Sequence, residues 1–299
     1  MEENKHLNVE MGPEASKECL QNPNMGSSES ETLNGIPVEE YMLDRYSCMS
    51  RYLMLMSLDE SLLYSRLPFL QELEHIEFFG VYDVANFLRL YLFREEFNSI
   101  LERRTEVHFN NEMKHAEFLL SRCVLLCLEP TYPRFVLVVA FLMHVVILDV
   151  NKVQCFRLTY IAEFCLNVLH GRMFKKIFRS PEDYQRLQIF CQEFCRKLTL
   201  FSTMSELRKT PFFVIWRKLI LGCIVDPHVF FPFEEEEIDF FYYARRVMNN
   251  LECKPDLEIE LDITYFSGRG LRKMQSGCQF CGTQCHNYLT YVSSFISKN

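Results

Sequence analysis

Glycine and proline are scarce in this chain, at 10 and 11 of 299 residues, and no glycine falls between Val81 and His170. Dinucleotide-binding sheets need glycine at their phosphate loops, and long sandwiches need it at their turns. The shortage argues against both and favours helices. Positive charge is also in deficit: 32 Lys and Arg stand against 40 Asp and Glu, for a net charge of −8. Nucleic-acid surfaces are normally basic, so such a partner is disfavoured. The local patch Arg172, Lys175, Lys176 and Arg179 reads as a solvated helix end. The N-terminal MEENKHLNVEMG has no apolar leader of the secretory type. The most apolar run, Phe135–Leu148, is 14 residues long between Arg134 and Asp149. A spanning helix needs about 20 apolar residues, so this run is expected to be a core helix and no membrane span is expected.

Catalytic signatures are missing as well. The chain has no Gly-x-x-x-x-Gly-Lys-Ser/Thr loop, no Gly-x-Gly-x-x-Gly, no Gly-x-Ser-x-Gly elbow, no His-Glu-x-x-His and no kinase set. Residues 1–36 contain no Phe, Trp or Tyr and are rich in Glu, Asn and Ser. Such a stretch buries too little apolar area to offset its ordering entropy, so a disordered tail is expected there.

What is abundant is apolar: 48% of the chain, including 27 phenylalanines. The 13 cysteines are odd in number and scattered, with Cys123, Cys127, Cys165 and Cys223 inside apolar runs. That usage suits a reducing compartment, cytoplasm or nucleus, where thiols act as small buried hydrophobes.

Helical spacing dominates from Pro37 onward. Helices are expected over Val38–Met56, along the stripe Val84, Phe87, Leu88, Tyr91 and Leu92, and from an Asn110 or Asn111 cap to Cys127. Others are expected through Phe156, Tyr160, Ile161, Phe164 and Val168, and from Ser180–Pro181, whose Ser-Pro-Glu-Asp opening suits a helix dipole. Two more run from Thr210–Pro211 to Cys223 and from about Glu234 to Leu251. After Lys254 the pattern alternates: in "DLEIELDITY", 256–265, apolar and acidic residues take turns, the period of a half-buried strand. "NYLTYVSSF", 287–295, is rich in β-formers. The fold class is therefore mainly α: an irregular multi-helix domain over 37–252, then a small β and cysteine-rich module over 253–299.

That module contains "GCQFCGTQCH", residues 277–286. Cys278 and Cys281 form a Cys-x2-Cys turn eased by Gly282, and Cys285 follows. Such a turn presents two thiolates to one tetrahedral zinc ion. His286 and Cys253 are the candidates for a fourth ligand. A structural zinc site, free thiols and a redox pair all remain open, and a catalytic zinc lacks a neighbouring acid or base. A second candidate is "FFPFEEEEIDFFYYARR", 230–246. Phe233, Glu234, Glu235, Glu236, Glu237, Phe240 and Phe241 combine aromatic anchors with an acidic rim, a composition suited to a basic protein partner. The alternative is an ordinary acidic first turn.

Two Glu-x-x-His matches, Glu72 with His75 and Glu112 with His115, echo the ligand spacing of di-iron bundles. They are expected to be surface pairs. Cys123/Cys127 and Cys191/Cys195, each four residues apart, are expected to be core packing. The leading expectation is an intracellular, non-catalytic adaptor or regulatory subunit that binds proteins. The alternatives are a zinc-containing nucleic-acid factor using Arg269, Arg272 and Lys273, and an unrecognised metal-dependent enzyme.

Overall fold

The structure, a computed structural model, describes residues 32–33, 36–60, 77–105, 110–153, 155–199, 203–225, 229–250, 281 and 284–293. It is mainly α-helical, as the glycine-poor, helically spaced sequence predicts. The expected strand over 256–265, Cys253, Cys278 and the Glu72–His75 pair lie outside the described residues. So does most of the tail expected to be disordered, 1–36; its described residues Thr32, Leu33 and Ile36 are instead ordered, Thr32–Leu33 pairing with Ile36–Pro37 as two short antiparallel strands, β1 and β2.

Helix α1, Val38–Met56, starts directly after Pro37. Helix α2, Phe79–Phe87, runs into a π-helical turn at Leu88–Leu92, and α3, Arg94–Leu101, follows Phe93. The sequence pattern predicts one continuous stripe here. The wide turn resets the phase instead. Val84, Leu88 and Leu92 are buried as expected, whereas Tyr91 is 59% exposed and Phe93 and Phe97 take core positions.

Helix α4, Glu112–Leu126, is capped by Asn111, whose side chain accepts from the Lys114 N–H at 3.0 Å. Two helices form the centre: α5, Tyr132–Val153, and α6, Arg157–Arg172. From Phe135 to Val146 every residue of α5 is buried, and nearly all of α6 is too. Helix α5 is long and apolar enough to cross a membrane, but most of it is enclosed by the rest of the fold, consistent with a core helix. Burying each large side chain contributes about 1.5–3 kcal/mol, so this pair dominates the packing.

Helix α7, Pro181–Leu198, opens as its Ser-Pro-Glu-Asp sequence predicts. The Asp183 carboxylate accepts from the backbone N–H groups of Arg179 and Ser180, at 2.8 and 3.0 Å. A short α8, Met204–Leu207, leads to α9, Pro211–Val225, which packs on α3 and α4. There Phe213 stacks on Phe93 with ring centres 5.0 Å apart. Helix α10, Glu235–Asn249, lays Phe241 on Tyr160 and Phe164 of α6.

The last described element, α11, covers Cys285–Ser293. The β-prone stretch that begins at Asn287 is helical as far as it is described, which corrects the expectation of a β element there. The reason is tertiary. Cys285, Tyr288, Leu289 and Val292 recur at three- and four-residue spacing, and all are buried with α6 and α1 against them. Core burial of that stripe outweighs local β propensity.

Candidate functional site

Cysteine 155 occupies the short junction between α5 and α6 and was absent from the sequence-derived ligand set. Its thiol meets two of the C-terminal cysteines. The Sγ atoms of Cys155, Cys281 and Cys285 all lie within 4.8 Å of one another. Cys155 and Cys281 are in direct sulfur contact at 3.4 Å. Cys285 Sγ accepts the backbone N–H of Phe156 at 3.3 Å. The Gln284 N–H donates to the Cys281 carbonyl at 3.3 Å, and α11 starts at Cys285. Both sulfurs face the same junction.

Two helix N-termini converge on this point, since α6 begins at Arg157 and α11 at Cys285. A helix N-terminus carries partial positive charge, so both helices turn that end toward the sulfur cluster. Cys155 and Cys285 are buried and Cys281 is half-buried, so the cluster touches solvent on one side. Three sulfur donors so arranged could hold a metal ion. Thiolate, rather than carboxylate or imidazole, is the donor type among these residues. Cys278, Cys253 and the side chain of His286 lie outside the described residues.

Helix α11 is clamped to the core by its tyrosines. Tyr288 donates to Glu112 Oε1 of α4, and Arg245 of α10 pairs with the other oxygen of the same carboxylate at 3.0 Å. Arg51 of α1 donates to Tyr291 at 3.2 Å and faces Glu163 of α6 at 3.5 Å. Burial, with Glu112 beside it, pushes the Tyr288 hydroxyl well above the usual phenol range, so it stays a donor. Thus α1, α4, α6 and α10 all hold the helix that begins at the sulfur cluster.

The acidic aromatic segment divides into two roles. Phe241 is buried, Phe233 is half-buried beside Phe164, and Arg172 of α6 grips both oxygens of Glu237 at 2.6 Å. These three serve the fold. Glu235, Glu236 and Asp239 are exposed, as is Glu234, and Phe240 is 41% exposed. One helical turn on, Tyr242 and Tyr243 stand 49% and 60% exposed, and Phe230 lies exposed before the helix. The outward face of α10 therefore runs from acids to aromatic rings. Tyr242, Tyr243 and Phe230 belong to it although the sequence reading did not single them out; their spacing from Asp239 and Glu235 is the signal that identifies them.

No family model, curated protein or solved structure matches this chain.

The remaining candidates are structural. Glu112 and His115 are not the surface pair expected from the sequence. His115 is fully buried near Arg104, at 3.4 Å, while Glu112 serves Tyr288 and Arg245. Arg104 also pairs with the buried Asp149 at 3.1 Å, and His144 contacts Asn98 at 2.9 Å. Cys123, Cys127 and Cys191 sit in the core, as does Cys223, with Cys195 at its edge. Burial pushes the Cys127, Cys191 and Cys223 thiols up to about 12, which keeps them protonated and unreactive at neutral pH.

Proposed function

We propose that this chain is an intracellular, non-catalytic scaffold that docks a basic protein segment on the outward face of α10. The observation that carries this reading is the exposed series Glu235, Glu236, Asp239, Phe240, Tyr242 and Tyr243 on one helix surface. Rigid aromatic side chains give large contact area at low entropic cost, and charged neighbours steer a partner of opposite sign. Phe241, Phe233 and Glu237 hold that surface in place from beneath. The C-terminal cysteine cluster, in the same reading, binds a structural zinc ion. Borderline-soft zinc suits thiolate donors, and Cys278 is the candidate that the Cys-x2-Cys spacing adds to them.

The docking face is tested by titrating the full chain with labelled lysine- and arginine-rich amphipathic peptides at two salt concentrations. Binding is expected to weaken with salt. It is also expected to fall roughly tenfold or more in Tyr243→Ala and Glu236→Lys, as for a hot-spot anchor and a steering charge. Glu193→Lys, on the exposed side of α7, serves as the control. Equal binding by all three variants would refute this use of α10.

A further inference from the structure

We infer that the metal centre of this protein is not confined to its C-terminal cysteine motif but takes a ligand from the helical core: Cys155, with Cys281 and Cys285, binds one zinc ion and ties the α5–α6 junction to the start of α11. This inference rests on the zinc reading given above and adds the ligand that the motif lacks.

Geometry is the first support. A zinc–sulfur bond is about 2.3 Å, so two thiolates on a tetrahedral ion stand about 3.8 Å apart. Cys155 and Cys281 stand 3.4 Å apart, and no pair in the trio exceeds 4.8 Å. A metal entering from the half-buried Cys281 side completes three bonds with small side-chain shifts. The second support is the surrounding charge. Three thiolates are costly to bury unless something compensates them. The Phe156 N–H on Cys285 and the N-termini of α6 and α11 supply that compensation. The third is position. Cys155 is 126 residues from Cys281 in sequence, yet its α5–α6 junction brings it beside a motif that has too few well-placed donors of its own. A self-contained finger uses ligands close in sequence and folds as a unit with its metal. A clip between a core junction and a terminal helix instead fixes where that helix docks. On binding, each thiol loses its proton to solvent and the sulfur lone pair goes to zinc; no electron is transferred.

The experiment uses the full chain purified under reducing conditions. Elemental analysis is expected to give about one zinc per chain. Cobalt substitution should give a sulfur-to-metal charge-transfer band, whose intensity falls by about one thiolate's share in Cys155→Ser. Zinc affinity of that variant, by competition with a chromophoric chelator, is expected to drop at least about tenfold, the scale seen even for outer ligand partners. In case Cys155→Ser fails to fold, differential alkylation of the wild-type chain decides the matter. Zinc should protect Cys155, Cys281 and Cys285 together, and chelation should expose all three.

Unchanged zinc affinity and an unchanged cobalt spectrum in Cys155→Ser would overturn the inference while leaving a C-terminal zinc site standing. So would alkylation of Cys155 at a rate indifferent to zinc. A wild-type chain that binds neither zinc nor cobalt would remove the inference and the zinc reading together, as would a Cys155–Cys281 disulfide in the reduced preparation.

Discussion

His144 lies inside the most apolar helix of the chain, 3% exposed, with Asn98 as its hydrogen-bond partner. Burial, reinforced by Arg89, Arg94, Arg104 and Lys152, holds its imidazole down at about 3, against an ordinary value of 6.5. Between those values the unfolded chain takes up a proton that the folded chain refuses. The contribution to stability is therefore complete above about pH 6.5 and is lost as pH falls towards 3, by up to roughly 1.4 kcal/mol per pH unit. His144→Gln, which keeps a donor for Asn98, should flatten that slope. Urea midpoints measured from about pH 4 to 7 check it, and parallel profiles for the two proteins would count against the assignment. The residue scale is also where sequence reading stopped short. Cys281 and Cys285 announce themselves by spacing, but Cys155 becomes their neighbour only through the path of the chain between α5 and α6. Its sole local hint is a cysteine in the polar break after Asn151 and Lys152, unlike the thiols embedded in apolar runs.

Most helices were legible because their signals are local. Pro37 and Thr210–Pro211 marked the starts of α1 and α9, the all-apolar run marked α5, and the Ser-Pro-Glu-Asp start located α7. That start contributes measurable stability. Burial opposes ionisation of Asp183, but the N–H groups of Arg179 and Ser180, with Arg186 alongside, outweigh it and hold the carboxyl below its usual range. Asp183→Asn is expected to cost about 1–2 kcal/mol in chemical denaturation, with faster hydrogen exchange confined to the first turn of α7. Elements decided by tertiary packing were not legible. The π turn at Leu88–Leu92 and the helical state of α11 both depend on what lies across the core rather than on neighbours in sequence. The exposed face of α10 was half legible: its acids and rings are plain in the sequence, but which ones point outward follows only from the docking of Phe241 and Glu237.

For the whole molecule, the contrast between centre and surface sets the energetics. Phe141 of α5 is fully buried against Phe97, with ring centres 5.5 Å apart. Phe141→Ala should destabilise the fold by about 3–5 kcal/mol, because a close-packed core collapses only partly around the cavity. On α9, Val214, Ile215, Leu221 and Val225 are apolar yet 43–79% exposed. Val214→Ser should shift stability by no more than about 0.5 kcal/mol. Equal effects of the two substitutions in thermal and urea unfolding would mean that α5 is not the centre of the fold.

The docking of α11 has a consequence for biosynthesis. Arg51 and Tyr291 touch across 240 residues of sequence. In a nascent chain Arg51 can already face Glu163, and Tyr160 can already reach the Phe241 carbonyl, but Tyr160 gains the rings of Tyr288 and Tyr291, and Arg51 gains Tyr291, only when the residues near position 290 emerge. Until then the faces of α6 and α1 that α11 covers stay bare to chaperones, so docking of α11 is a late step in closing this side of the core.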